Sequence, residues 1–276
     1  MGVILPPSSL AANTAMNAGE LGEQGRRFFA EHGWVVVRGA VAAGRAVELL
    51  EALQREVSPA ALAASAGRVV ELPQASRLSP ALDSHVHDPR MARLLAEALG
   101  ASRLQLLQDT ALIKAPLVGG RVEWHQDRTY MGYLDQPRAA TLRLALTDET
   151  LESGCLRVLD GSHLWGYETP LPALQAATVE DALSALPDAL RARAVGAEIE
   201  LELQPGDATI HHCLTFHSSS ENRTARTRAT LVLRAFDGAC RCRLDRVPAG
   251  AARHFPVDAR GGLSESAFPS LYDAAR

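Results

Sequence analysis

The sequence predicts a mainly β fold with supporting helices, built on a double-stranded β-helix core of the jelly-roll or cupin type. Helical periodicity is gathered into about the first 100 residues. Roughly eight short β-branched or alternating runs then follow one another. Turn residues separate those runs, at Gly119-Gly120, Asp135-Gln136-Pro137, Ser153-Gly154 and Gln204-Pro205-Gly206-Asp207. Helices first and many short strands after them suggest a helix-supported double sheet.

Residues 19–32 read as a helix with Leu21, Phe28 and Phe29 on its apolar side, stopped by Gly33 in a left-handed cap. Residues 34–38 are β-branched and read as a strand. A second helix over 43–57 places Val47, Leu50, Leu53 and Val57 at helical spacing. Residues 58–84 carry no clear period and read as a flap or loop, a candidate lid. Asp88-Pro89 opens a third helix to about Leu99, because Asp is a favoured N-cap and Pro a favoured first helical residue. Strands are expected at 104–115, 122–128, 139–147 and 155–159. A helical stretch over 179–195, divided by Pro187, precedes strands at 198–203, 209–213, 214–218 and 226–236. No internal repeat or linker is visible. The expectation is one domain over 1–276, with a frayed tail at 1–18 and the jelly-roll core within 103–236.

A chain of 276 residues, 47% hydrophobic, can bury a substantial core. Its formal net charge of -4 offers no electrostatic reason to expect nucleic acid or an anionic membrane. No run reaches the ~18 apolar residues of a membrane helix. The N-terminus lacks the basic-then-apolar order of a signal peptide, and Pro6 stands where a myristoylation motif wants Ser or Thr. A cytoplasmic protein acting on a small molecule is expected, with no feature that sets its oligomeric state. The four cysteines read as free, buried hydrophobes, and Cys240-x-Cys242 has the wrong spacing for a zinc knuckle.

The chemistry centres on Trp124-His125-Gln126-Asp127. On a strand, alternate side chains share a face, so His125 and Asp127 point the same way and can share one metal ion. With a remote histidine they make the 2-His-1-carboxylate triad that holds Fe(II) with positions open. Alone the dipeptide spacing carries little information, since nine histidines make such a pairing common by chance. The second histidine is sought in His211-His212-Cys213-Leu214-Thr215-Phe216-His217-Ser218-Ser219. As a strand this segment would put Thr215, His217 and Ser219 on one polar face and Leu214 and Phe216 on the other. Parity leaves His211 and His212 as competitors for the ligand role. Downstream, the arginines of 223–228 precede an apolar run, and a guanidinium on a rigid strand suits a bidentate grip on a carboxylate. Arg223 and Arg226 read as solvated charge.

These blocks resemble the phytanoyl-CoA dioxygenase family of Fe(II)/2-oxoglutarate-dependent oxygenases. The matching segments are Gln108-Asp109 with Lys114-Ala115-Pro116, Trp124 to Asp127, and Leu146 to Leu156. Gly161-Ser162-His163, Gly206-Asp207, and His217 to Thr224 through Arg228 complete the set, in order over about 108–236. The resemblance implies His125, Asp127 and His217 as iron ligands. It implies Arg228 as the grip on the distal carboxylate of 2-oxoglutarate, with the Ser219 hydroxyl assisting. Gln108 and Thr110 fall on a strand that contributes further pocket contacts, and Lys114 matches the family's lysine. Two positions depart from the pattern. Arg143 stands where the family often has Trp, and could hold an anionic substrate group or point outward. Asp160 replaces the usual proline before Gly161, a change expected to alter only a turn.

The implied reaction uses O2 and 2-oxoglutarate and releases succinate and CO2 as an unactivated C–H bond is hydroxylated. The metal carries the hard chemistry, and the protein supplies position and exclusion of water. A carboxylate at Asp127 disfavours halogenation, since related halogenases have a small residue there. Desaturation or cyclisation is open to the same chemistry. Tyr130 and Met131, directly after the metal motif, are candidates for contact with the substrate, which could be an amino acid, a lipid acyl group or a secondary metabolite. A cupin-type isomerase or hydrolase would share the ligands without needing Arg228 or Ser219. A non-catalytic binding module would not need the complete set.

Overall fold

The computed structural model describes residues 19–65, 67–117, 119–170, 182–247 and 255–275. The expected tail at 1–18 and the first residues of the expected 179–195 helix lie outside them.

Two antiparallel sheets make the frame. The larger has seven strands, with β1 (Trp34–Val37), β8 (Ala208–His212), β5 (Ala139–Ala145), β10 (Arg228–Asp237), β3 (Arg103–Lys114) and β11 (Ser270–Asp273) side by side. β2 (Val70–Pro73) also pairs with β3, beyond the reach of β11. The smaller sheet orders β4 (Val122–His125), β9 (His217–Ser219), β6 (Leu156–Leu159) and β7 (Glu198–Leu201). This is the expected jelly roll.

Strand alternation sorts the large sheet into an apolar outer face and a polar inner one. On β5, Leu142 and Leu144 join Leu231, Leu233 and Ile210 in the main core, while Thr141 and Arg143 lie outside it. Helices α1 (Gly22–His32), α2 (Ala43–Glu56) and α5 (Pro89–Leu99) contribute Phe29, Leu49, Leu53, Leu94 and Leu95 to that core. A short α3 (Pro59–Ala63) and α4 (Pro80–Val86) lie between α2 and α5. The inner face of β1 uses Trp34 and Val36 to meet Leu156, Val158 and Leu201 of the small sheet.

Local chemistry accounts for the helix ends. Gly33 adopts φ 78° and its N–H donates to the Phe29 carbonyl at 2.8 Å. A side chain there would also strike His163 and Thr215, so glycine is required twice over. The Asp88 carboxylate accepts from the Arg90 N–H at 2.9 Å and Pro89 opens α5.

Several expectations are corrected. Residues 58–84 are not an unstructured flap: they hold α3, β2 and a 3-10 turn (Ala75–Leu78), and they run into α4. Short elements of this kind show too few residues to display a period. Val47 is half exposed, because the buried stripe of α2 runs through Ala46, Leu49, Ala52 and Leu53. The strand expected at 122–128 ends at His125 and passes into a 3-10 turn (Asp127–Met131). The 214–218 strand begins only at His217, so Thr215 does not share the face of His217 and its hydroxyl donates to the Gly33 carbonyl at 2.8 Å. Helix α6 (Asp188–Ala194) starts after Pro187. Asp160 does more than alter a turn. It accepts from the Trp34 indole N–H at 2.8 Å and pairs with His32 at 2.9 Å, tying β6 to β1 and α1.

Candidate metal centre

β4 and β9 pair so that His125 lies opposite His217. Although β4 stops at His125, Gln126 stays extended (φ -112°, ψ 133°), so alternation persists for one more residue. Asp127 therefore returns to the face of His125. Gln126 points the other way and clamps the neighbouring loops. Its amide donates to the Leu214 carbonyl at 2.7 Å and its oxygen accepts from the Thr169 N–H at 2.8 Å.

Each histidine is oriented by its own backbone. Nδ1 of His125 bonds the Glu123 carbonyl at 2.8 Å, and Nδ1 of His217 bonds the Thr215 carbonyl at 2.9 Å. A carbonyl only accepts, so both Nδ1 atoms carry the proton and both Nε2 lone pairs face the site. Nε2 of His125 and of His217 lie 3.9 and 3.7 Å from Oδ1 of Asp127. Ligand atoms of the three residues fall within 4.8 Å of one another, the only such group found among the described residues. Two imidazoles and a carboxylate, with their ligand atoms converging, fit a divalent iron.

The other carboxylate oxygen is held from behind. Oδ2 of Asp127 accepts from the Thr141 hydroxyl at 2.5 Å, with His211 Nε2 at 3.3 Å and Arg234 Nε at 3.7 Å. Burial would raise the Asp127 carboxyl, but Arg234, His217 and His211 outweigh it and hold it well below the usual carboxylate range. Burial, then the neighbouring His125 and His211, keeps His217 neutral. The competition between histidines is decided by position. His211 supports Asp127 from its far side. His212 accepts from the Leu214 N–H at 3.1 Å, away from the cluster, and burial lowers it to about 3.

Two cavities meet at this cluster. A small inner one, about 80 Å³, is lined by Lys114, Arg143, His217, Ser219 and Arg228 among others. Arg228 reaches it, but Nη2 donates to buried Glu149 at 2.5 Å, and Glu149 also accepts from the Thr230 hydroxyl. The Ser219 hydroxyl accepts from Lys114 Nζ at 2.8 Å, and the same ammonium donates to the Ser220 carbonyl. Arg143 points inward, 3.6 Å from Glu149. It lines the inner cavity and does not point outward. The outer cavity, about 880 Å³, is lined by Gln108, Tyr130, Met131 and Arg234, with Arg68 and Glu71 from the 58–84 segment. Tyr130 is exposed and packs edge-on against His125, ring centroids 6.2 Å apart, while Met131 is buried. Gln108 belongs to this outer space, near Arg234, and not to the carboxylate end. Thr110 is buried on β3 and lines neither cavity.

Thr141, Glu149 and Arg234 were missed by sequence reading. Alternation with Leu142 and with Leu233 could have turned Thr141 and Arg234 inward. Glu149 carried no local signal, since its partner Arg228 is 79 residues away.

Comparison with known proteins agrees with this architecture. The chain is 32% identical over 143 residues to phytanoyl-CoA dioxygenase 1 of Oryza sativa subsp. japonica, covering 52% of this chain and 48% of that protein. It is 26% identical over 160 residues to phytanoyl-CoA dioxygenase domain-containing protein 1 of Mus musculus, covering 58% and 54%. The chain thus spans about half the length of the curated relatives it matches. Among solved structures, the non-heme alpha ketoglutarate dependent carbocyclase SnoK from nogalamycin biosynthesis superposes with a TM-score of 0.71 at 22% identity, over 91% of this chain and 96% of that one. EctD from S. alaskensis, solved with 2-oxoglutarate and 5-hydroxyectoine, superposes at 0.64 and 22% identity, over 80% and 78%. No helix among the described residues is long and apolar enough to cross a membrane. The family model for phytanoyl-CoA dioxygenase (PhyH) matches residues 29–230, which include every residue of the metal cluster and both cationic neighbours of Glu149, and the chain belongs to that family.

Proposed function

We propose that this protein is an Fe(II)- and 2-oxoglutarate-dependent dioxygenase that hydroxylates an unactivated C–H bond of a small molecule. The observation that carries the reading is the convergence of His125, Asp127 and His217 within 4.8 Å, opening onto a cavity that contains Arg228. His125, Asp127 and His217 would hold the iron. Iron bound there supplies O2 activation coupled to oxidative decarboxylation of 2-oxoglutarate to succinate and CO2. The residues of this chain then bind and position. Arg228 and Ser219 receive the distal carboxylate of the co-substrate in the inner cavity. Tyr130 and Met131 border the prime substrate in the outer one, whose volume suits a ligand of drug size. Thr141 and His211 hold Asp127 in its ligating orientation. Four free cysteines, three of them buried, support a reducing compartment, and we place the protein in the cytoplasm.

Adding Fe(II) and then 2-oxoglutarate to the protein without oxygen should produce the weak visible charge-transfer band of the chelate. His217→Ala should abolish it and lower metal affinity by more than about 100-fold, beyond the ~10–100-fold typical of losing a residue that merely orients a ligand. An unchanged band in that variant, or none in the wild type, would sink the proposal. Product mass with a small-molecule panel distinguishes gain of an oxygen atom from the loss of two hydrogens that desaturation or cyclisation gives.

A further inference from the structure

The buried end of the inner cavity holds an excess of positive charge: of its other charged lining residues, Glu71 is exposed to solvent and Arg234 faces Asp127 at 3.7 Å. Arg143 and Arg228 are 5% and 2% exposed and face a single carboxylate, that of Glu149, itself 0% exposed. Two guanidiniums and one carboxylate leave a buried positive charge without a counter-ion, which is expensive in a site this dry. Their hydrogen bonding is equally incomplete. Arg143 Nη1 and Arg228 Nε are buried without a hydrogen-bond partner among the described residues, and both side chains line the cavity. Arg143 approaches Glu149 only to 3.6 Å, an electrostatic contact without a hydrogen bond.

We propose that Arg143 shares with Arg228 the grip on the co-substrate's distal carboxylate, and that Glu149 is the fixed internal counter-ion of the two arginines. One incoming carboxylate then completes the balance, two guanidiniums against two carboxylates, and gives the spare N–H groups an acceptor. Lys114 does not upset this balance. Burial, then Arg228 and Arg143, lowers its ammonium to about 6, so near neutrality it is largely uncharged. The strand register gives Arg143 a rigid mount, in the middle of β5 between Val232 of β10 and Thr209 of β8. Arg143 is thus a direct binding residue for the co-substrate. The inference rests on the proposed 2-oxoglutarate dependence.

Calorimetry on the anaerobic Fe(II)-loaded protein tests it, with 2-oxoglutarate and with 2-oxopentanoate, which has the same chain without the distal carboxylate. Arg143→Met should weaken 2-oxoglutarate by about 30-fold or more, the scale of truncating one partner of a buried charge pair, and leave 2-oxopentanoate little changed. Arg143→Lys should recover part of the loss. Glu149→Gln removes the competing carboxylate and should tighten 2-oxoglutarate several-fold without affecting 2-oxopentanoate. Equal weakening of both ligands by Arg143→Met, or no weakening, overturns the assignment, as does weaker 2-oxoglutarate binding in Glu149→Gln. If wild type binds 2-oxoglutarate and only the Arg143 variants fail to respond, the fault lies with this inference alone. Wild type that binds none overturns the functional reading with it.

Discussion

The inner and outer cavities share a wall at His125 yet are built in opposite ways. The inner cavity is lined mostly from strands, β3, β5, β8, β9 and β10 among them, and Lys114, Arg143 and Arg228 on it are buried. The outer one takes much of its lining from connections: the 67–71 stretch, the residues around Arg121, and the turn carrying Tyr130 and Met131. Strands held by ladders on both sides fix their side chains; turns and edge segments allow variation without loss of the core. A fixed end suits the proposed co-substrate, and an adaptable end suits the proposed prime substrate.

The contrast can be broken by substitution at either end. Arg228→Ala should have the largest effect. It leaves Glu149 with a single distant cation, and breaking a buried pair costs about 3–5 kcal/mol, read as a drop in denaturation midpoint. The same variant should raise the 2-oxoglutarate requirement steeply while sparing iron affinity. Equal loss of both would show that the two halves of the site are not separate.

Lys114 gives a pH signature to the inner end. Its folded value near 6 lies below the ordinary lysine value of 10.5, so between those limits the unfolded chain binds more protons than the folded one. Stability should therefore rise with pH across that window, through this group's contribution. Lys114→Met should flatten the rise by at least on the order of 1 kcal/mol, seen in chemical denaturation at pH 6.5 and 9. A slope unchanged by the substitution would mean that the ammonium stays charged and hydrated.

At the outer end the effects should be small and confined to the prime substrate. Tyr130→Ala removes an exposed ring packed on His125, and should change the substrate's KM by a few-fold, under about 1 kcal/mol. Its 2-oxoglutarate affinity should match wild type. A loss of co-substrate binding in this variant would mean that the two cavities are coupled through His125.

Much was legible in the sequence because the relevant signals are local. The Gly33 stop, the Asp88-Pro89 start and the alternation of β5 and β10 depend on a few neighbouring residues and on backbone sterics. The spacing of His125 and Asp127 is of the same kind, even though the strand ended earlier than expected: an extended Gln126 was enough to keep the two side chains together. Other properties depend on contacts between distant segments. Parity could not choose among His211, His212 and His217, because that choice depends on β9 lying opposite β4 and on the turn that precedes it. Thr215 was misplaced for the same reason. Within 58–84, β2 is held by pairing with β3, and the short elements leave no period of their own. Glu149 is the sharpest case. As a residue in a turn between strands it carried no role of its own in the sequence, and only the closing of β10 beside β5 brings Arg228 and Arg143 around it. Local propensity determined the strands and the metal motif; the sum of long-range burial and charge in a shared low-dielectric space decided how the site is balanced.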